Sequence, residues 1–221
     1  MKHIILALPN GVRLFRHHKF KVMASKDRIL RLKEETRINI LDAAFQIVKN
    51  EGWQALSMRK IADAIEYTAP IIYEYFANKE AILQELTKKG NALLSKELLA
   101  AKAEHRLPAK QLEAMWMAYW NFAFAQKELY QLMYGVEMNC CLFENNFPDA
   151  ENPNDLIWDV IAELMAASNP SEDELCRRFY TFWSVVHGLI SINLVRKGVS
   201  DDINRQILKD AIGGIINAIK T

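Results

Sequence analysis

The stretch that most limits what this chain can fold into is SMRKIADAIEYTAPIIYEYFANKE, residues 57–80. Two short amphipathic segments meet there across a tight connection. In the first, Ile61, Ala62 and Ile65 recur at i, i+1 and i+4, which puts them on one side of a helix. Ser57 stands where its hydroxyl can accept an orphan N–H of the first turn. The turn falls at residues 64–67. Thr68 can cap the second segment, and Pro70 lies in its first turn, where a missing N–H costs nothing. Ile72, Tyr73 and Phe76 repeat the inward spacing. Asn78, Lys79 and Glu80 break the period and start a third helix over residues 81–86. Two short helices joined by a few residues, the second with small residues at its exposed start, make a helix-turn-helix. The same spacing also suits a plain helical hairpin in an all-α domain.

Composition narrows the rest. A chain of 221 residues makes one large domain or two small ones. With 51% hydrophobic and 25% charged residues it is globular and helix-favouring, with ample material for a core. No run of 18 apolar residues exists, so no transmembrane helix is expected. IILAL at residues 4–8 is too short for a signal-peptide core, and Pro9, Asn10 and Gly11 end it; the expected location is the cytoplasm. Cys140 and Cys141 are adjacent and Cys176 is alone, which is neither a disulfide nor a metal spacing. There is no Gly-rich phosphate loop, metal-ligand spacing or nucleophile elbow, so no catalytic residue, metal or cofactor is expected. Charge is uneven: residues 1–60 hold 13 Lys/Arg against 5 Asp/Glu, and residues 61–221 hold 15 against 22. The basic end suits a phosphate-bearing partner.

Residues 1–22 show no clear helical period, and Met23, Ala24 and Ser25 read as a natural start. That first part is expected to be an upstream extension or a disordered tail. From Lys26, apolar residues Ile29, Leu32, Ile40, Leu41, Ala44, Phe45 and Val48 fall near a 3.6 period, with Lys26, Arg28, Arg31, Lys33 and Arg37 on the polar side. Gly52 reads as a left-handed helix cap, and Trp53 and Leu56 as plugs under the motif. Further helices are expected at residues 92–103, 109–126, 127–135, 153–167, 172–196 and 201–219, with a loop at 136–152. Ser171 with Glu174 forms a capping box.

The helix at 172–196 carries two apolar stripes. One is Leu175, Phe179, Phe182, Val186 and Leu189; the other is Cys176, Tyr180, Trp183, His187, Ile190 and Leu194. One stripe serves the helix's own core. The second, with the apolar last helix and its Gly213 and Gly214, suggests a homodimer through residues 171–220, with Ile215 and Ile216 on its face. Trp116, Tyr119, Trp120, Phe122, Tyr134, Trp158, Phe182, Trp183 and His187 offer an apolar lining for a small molecule, although aromatics at this spacing also fill cores.

A family resemblance sharpens the reading. AAF at 43–45, Gly52, LSMRKIA at 56–62, IYEYF at 72–76 and NKEAIL at 78–83 resemble the DNA-binding domain of the tetracycline-repressor (TetR) family, without a gap over residues 37–86. FWSVVHGL at 182–189 resembles one recurring form of that family's effector domain. The resemblance implies an all-α protein: a three-helix helix-turn-helix domain at residues 26–86, after the extension at 1–25, and a helical effector-binding and dimerisation domain at 87–221. It implies duplex operator DNA and a small, mostly apolar effector as partners, and places some basic residues of the first helix near the DNA backbone.

The DNA-contacting set that follows is Ser57, Arg59, Thr68, Ala69, Pro70, Ile71, Tyr73, Tyr75 and Lys79. Ala69, Pro70 and Ile71 suit thymine methyl groups, and Arg59 could grip a guanine. Thr68, Tyr73, Tyr75 and Lys79 match positions that hold phosphates or sugar edges. Three residues depart from the family pattern: Glu66 for a turn glycine, Tyr67 for a small aliphatic residue, and Ile71 for Thr or Ser. Two other classes stay open on the residues alone. One is a helical enzyme using His187 as acid or base, and the other is a dimeric scaffold that ignores DNA.

Overall fold

A computed structural model describes residues 25–134, 152–195 and 198–220. The expected extension at 1–22, Cys140, Cys141 and nearly all of the expected loop at 136–152 lie outside those residues. Among the described residues there are nine α-helices and no strand: α1 (Ser25–Glu51), α2 (Met58–Ala64), α3 (Ala69–Tyr75), α4 (Lys79–Ala103), α5 (Pro108–Ala125), α6 (Lys127–Tyr134), α7 (Pro153–Met165), α8 (Glu172–Val195) and α9 (Asp201–Lys220). None is long and apolar enough to cross a membrane.

The chain divides into two units, residues 1–38 and 39–221. In the first, the described part is the start of α1, where Arg31 pairs with Glu35 at 3.4 Å and Arg37 with Glu34 at 3.7 Å. Ile29 and Leu32, expected on a core stripe, are exposed here, and burial along α1 begins at Ile40.

In the second unit, Ile40, Ala44, Ile47 and Val48 of α1 are buried with Leu56, Met58, Ile61, Ala62, Ile72 and Phe76. Each such large side chain removed from water stabilises the unit by about 1.5–3 kcal/mol. Gly52 closes α1 at φ 82° and ψ 166°, extended on the side that only glycine visits freely, rather than in the expected left-handed helical region. Its N–H still donates to the Val48 carbonyl at 2.8 Å. Leu56 is buried as expected, whereas Trp53 is half-buried in a 3-10 turn.

α4 is one continuous helix where two were expected, at residues 81–86 and 92–103. Gly90 lies in its middle. A Cβ there would lie 2.5 Å from Met133 Sδ, so the missing side chain lets α6 settle directly on α4. α4 packs on α5, α6 and α7, while α5 also meets α8 and α9. Leu94, Leu98, Leu112, Met115, Val160, Ile161, Phe182, Val186, Leu208 and Ile212 fill the space between them. At the start of α8 the Glu174 N–H donates to Ser171 Oγ at 3.3 Å, the expected N-cap half of the box. Asn193 and Asn204 exchange amide hydrogen bonds of 2.8 and 3.1 Å, fixing the register of α8 on α9.

The two stripes of α8 both face into this chain. Phe179, Phe182, Val186, His187 and Ile190 are buried, and Trp183, Cys176 and Leu194 are half-buried; of the second stripe only Tyr180 is exposed. A different stripe is open: Thr181, Ser184, Val185, Gly188, Ser191, Ile192 and Val195, beside Tyr180. On α9 the open apolar residues are Ile203 and Ile207, while Ile216 is 2% exposed and Ile215 packs on the core. The expected face is therefore corrected at Ile216, which is needed inside the chain, while Ile215 is half-buried.

Candidate nucleic-acid interface and aromatic cluster

The helix-turn-helix is built on a Ser57 N-cap, whose Oγ accepts the Lys60 N–H at 3.2 Å. α2 ends at Ala64, so the turn occupies residues 65–68, one later than the spacing suggested. Glu66 sits at φ 59°. Its N–H donates to the Asp63 carbonyl at 3.3 Å and the Tyr67 N–H to the Ala62 carbonyl at 2.9 Å. That pair of bonds is a Schellman closure with a non-glycine residue in the left-handed position, which costs about 1–2 kcal/mol.

After this turn the start of α3 is only partly exposed, with Ala69 packed against the core. Thr68 is the N-cap residue, yet its side chain makes no capping bond; Pro70 lies in the first turn and is exposed. Ala69 and Ile71 are half-buried. Ile72 and Phe76 are buried, and Tyr73, expected to point inward, is 54% exposed, which suits its other expected role as an outward contact. Tyr75 and Lys79 are half-buried. Lys79 Nζ donates to the Trp53 carbonyl at 3.3 Å, spending one of its three protons. Asn78 caps α4 by accepting the Ala81 N–H at 2.8 Å. On α2, Lys60 is tied to Glu51, whereas Arg59 is exposed and has no partner among the described residues.

The second expected site is only partly assembled. Trp116, Tyr119, Tyr134, Phe182, Trp183 and His187 come together. Trp183 lies on His187 with 3.8 Å between ring centres, and Trp116 stacks on Phe182 at 5.9 Å. Trp120 instead pairs with Phe124, and Trp158 with Phe179. Phe122 is buried in the core.

His187 is held at both ends. Tyr119 Oη lies 2.6 Å from its Nε2 and Tyr130 Oη 2.8 Å from its Nδ1. The protonated ring nitrogen donates to one phenol oxygen, and the bare one accepts the other phenol's O–H. Burial lowers the His187 pKa to about 3, so the ring is neutral. Burial likewise pushes Tyr134 up to about 12 and raises Tyr130 and Tyr119; for Tyr119 the nearby phenols Tyr134 and Tyr130 add to it. All three phenols keep their protons. Tyr130 is the member that sequence reasoning left out of the site; its spacing of four from Tyr134 on an amphipathic helix was the available signal. Within the cluster, the Trp116 indole N–H is buried and has no acceptor among the described residues.

Among the described residues no group of three His, Cys, Asp or Glu is placed to hold a metal ion. The geometry thus defines an all-helical chain with an exposed helix-turn-helix and a buried aromatic and phenol–imidazole cluster. Comparisons name the class. Residues 40–86 match the family model "Bacterial regulatory proteins, tetR family", and residues 112–207 match "Tetracyclin repressor-like, C-terminal domain". The chain belongs to the TetR family of transcriptional regulators, a family of DNA-binding proteins rather than enzymes.

A search of curated proteins gives no match. Among solved structures, a protein of unknown function from Rhodococcus sp. RHA1 is 21% identical, with TM-score 0.65, covering 82% of this chain and 94% of that one. FadR of Thermus thermophilus, a transcriptional repressor solved with lauroyl-CoA, is 19% identical, with TM-score 0.54 and coverage of 83% and 93%. RolR, solved with resorcinol, is 12% identical, with TM-score 0.57 and coverage of 85% and 89%. At these identities the likeness is one of fold.

Proposed function

We propose that this protein is a cytoplasmic homodimeric repressor that binds a two-fold operator and leaves it when a small, mostly apolar effector binds. The observation that carries the reading is the outward start of α3. Thr68, Pro70 and Tyr73 are exposed around a buried Ile72, Ala69 is half-buried, and Arg59 on α2 is exposed with no partner among the described residues. Small residues there let a helix approach base edges closely, and apolar ones touch thymine methyls but cannot form bidentate bonds. Recognition therefore leans on Arg59 for a base, on Thr68, Tyr73, Tyr75 and Lys79 for the backbone, and on DNA shape. Ser57 belongs to the same edge, with its hydroxyl already engaged as a cap.

The dimer reading rests on the open stripe from Tyr180 to Val195 with Ile203 and Ile207, apolar and small-residue surface that water does not favour. A division at residues 26–86 and 87–221 into DNA-binding and effector domains is supported by separate family matches at 40–86 and 112–207, with α4 running through the boundary. The effector reading rests on the aromatic cluster. Trp116, Tyr119, Tyr134, Phe182, Trp183 and His187 are its members, while Trp120, Phe122 and Trp158 lie apart from it. The unpaired Trp116 N–H fits a ligand carrying one acceptor atom. That two neighbours of similar fold were solved with an acyl thioester and with a phenol supports an apolar ligand, without naming it.

Affinity across an operator series with single-base substitutions tests the DNA half. Arg59→Ala should relax preference at one base pair per half-site, at roughly 1–3 kcal/mol each. Lys79→Ala should weaken every sequence about equally and flatten the salt slope by about one unit. Equal loss across all sequences for Arg59→Ala makes that residue a phosphate clamp and removes the proposed source of specificity.

A further inference from the structure

A cavity of about 550 Å³ opens between the end of α4, the start of α5 and the middle of α9, apart from the aromatic cluster. Ala114, Met117, Leu208 and Ile212 form an apolar floor without a single ring. His105, Lys110, Glu113 and Lys209 form the rim. The volume lies within the range of ligand sites, about 300–1,000 Å³. Leu208 and Ile212 are buried, while Ile203 and Ile207 of the same helix face away, so this is not the open dimer stripe.

The rim charges do not cancel. Lys110 Nζ is taken by Glu113 Oε2 at 2.6 Å, and Glu113 is the only carboxylate among the lining residues. Arg205, which reaches Met117 Sδ at 3.4 Å, is matched by Asp201 at 2.7 Å. Lys209 has no ion pair among the described residues. His105 adds a ring that can donate a hydrogen bond. α5 also begins here behind Leu107, an N-cap residue whose side chain gives no cap, and its first turn carries no acidic residue against the positive end of the helix dipole. An apolar floor with a net positive rim suits one chemistry. Met117 and the aliphatic floor suit a flexible chain, since the floor offers no ring to stack on and methionine adapts to irregular shapes.

We propose that this cavity binds an amphipathic aliphatic monocarboxylate, its tail on Ala114, Met117, Leu208 and Ile212 and its head group at Lys209 and His105. The site is separate from the aromatic cluster and stands whether or not the cluster receives an effector.

Titration calorimetry on the full chain with sodium decanoate, and with the uncharged decanamide, tests it. Decanoate should bind once per chain, and decanamide roughly tenfold or more weaker, the scale of one lost charge contact. Lys209→Glu, an exposed change that leaves the fold intact, should weaken decanoate by at least about tenfold. Ala114→Phe, checked for retained helicity, should fill the floor and abolish binding of both. Absence of decanoate binding, equal affinity for the two probes, or binding untouched by both variants would overturn the site. Operator affinity is not part of this readout, so failure of effector control on DNA and failure of this cavity are told apart.

Discussion

Glu66 holds a backbone angle that L side chains rarely adopt, φ 59°, because two turn hydrogen bonds require it there. A glycine relieves that strain but loses more freedom on folding. Glu66→Gly should therefore raise stability by about 0.5–1 kcal/mol in urea denaturation; a loss of stability would show that the Glu66 side chain earns its place. The strain was legible in the sequence, since a turn between two helices lacked its glycine. The His187 lock was not, because the two phenols that hold it lie 68 and 57 residues away. That lock has a pH signature. The His187 pKa falls from 6.5 in the unfolded chain to about 3 on folding, through burial. The folded chain keeps the ring neutral where the unfolded chain protonates it. Stability from this residue is complete above about pH 6.5 and is lost as pH falls toward 3, by up to about 1.4 kcal/mol per unit. Denaturation of wild type and His187→Gln across that window should give a flatter profile for the variant. Parallel profiles would mean the ring takes up its proton as easily folded as unfolded.

Among the elements, α8 shows where periodicity reads well and where it runs out. Its apolar residues were legible as two helical stripes, and both are needed within the chain, because α5, α7 and α9 surround the helix on several sides. The free face is the one of small and β-branched residues, which a hydrophobicity pattern ranks below Phe, Trp and Leu. The same holds for α9, where Ile203 and Ile207 are open and Ile216 is not. Ile192→Glu or Ile207→Glu should thus convert a dimer to a folded monomer in light scattering, with helicity and the thermal transition retained. Ile216→Glu should lower the transition itself, since it buries a charge without a partner. A dimer that survives both exposed changes would place the interface elsewhere. α4 carries a related lesson. Gly90 stands inside a helix for the sake of Met133 on α6, a tertiary reason that local sequence does not display.

At the level of the whole molecule, residues 1–60 hold 13 Lys/Arg against 5 Asp/Glu, and residues 61–221 hold 15 against 22. Part of that charge is already answered within α1, by Glu34 and Glu35. What remains for phosphates is worth less than the raw count, so affinity should depend on two linked copies reading two half-sites. The fold class and the helix-turn-helix were legible from short-range spacing together with the family resemblance; the assembly of the aromatic cluster was not, because its contacts join residues distant in sequence. The central claim is specific recognition of duplex DNA. The direct test is selection of genomic fragments by the purified full chain, followed by anisotropy titration of the enriched duplex and a scrambled duplex at physiological salt. The account predicts enriched fragments that share a two-fold site, bound at least about 10³-fold more tightly than the scrambled sequence. No shared site, or equal affinity for the two duplexes, would contradict it.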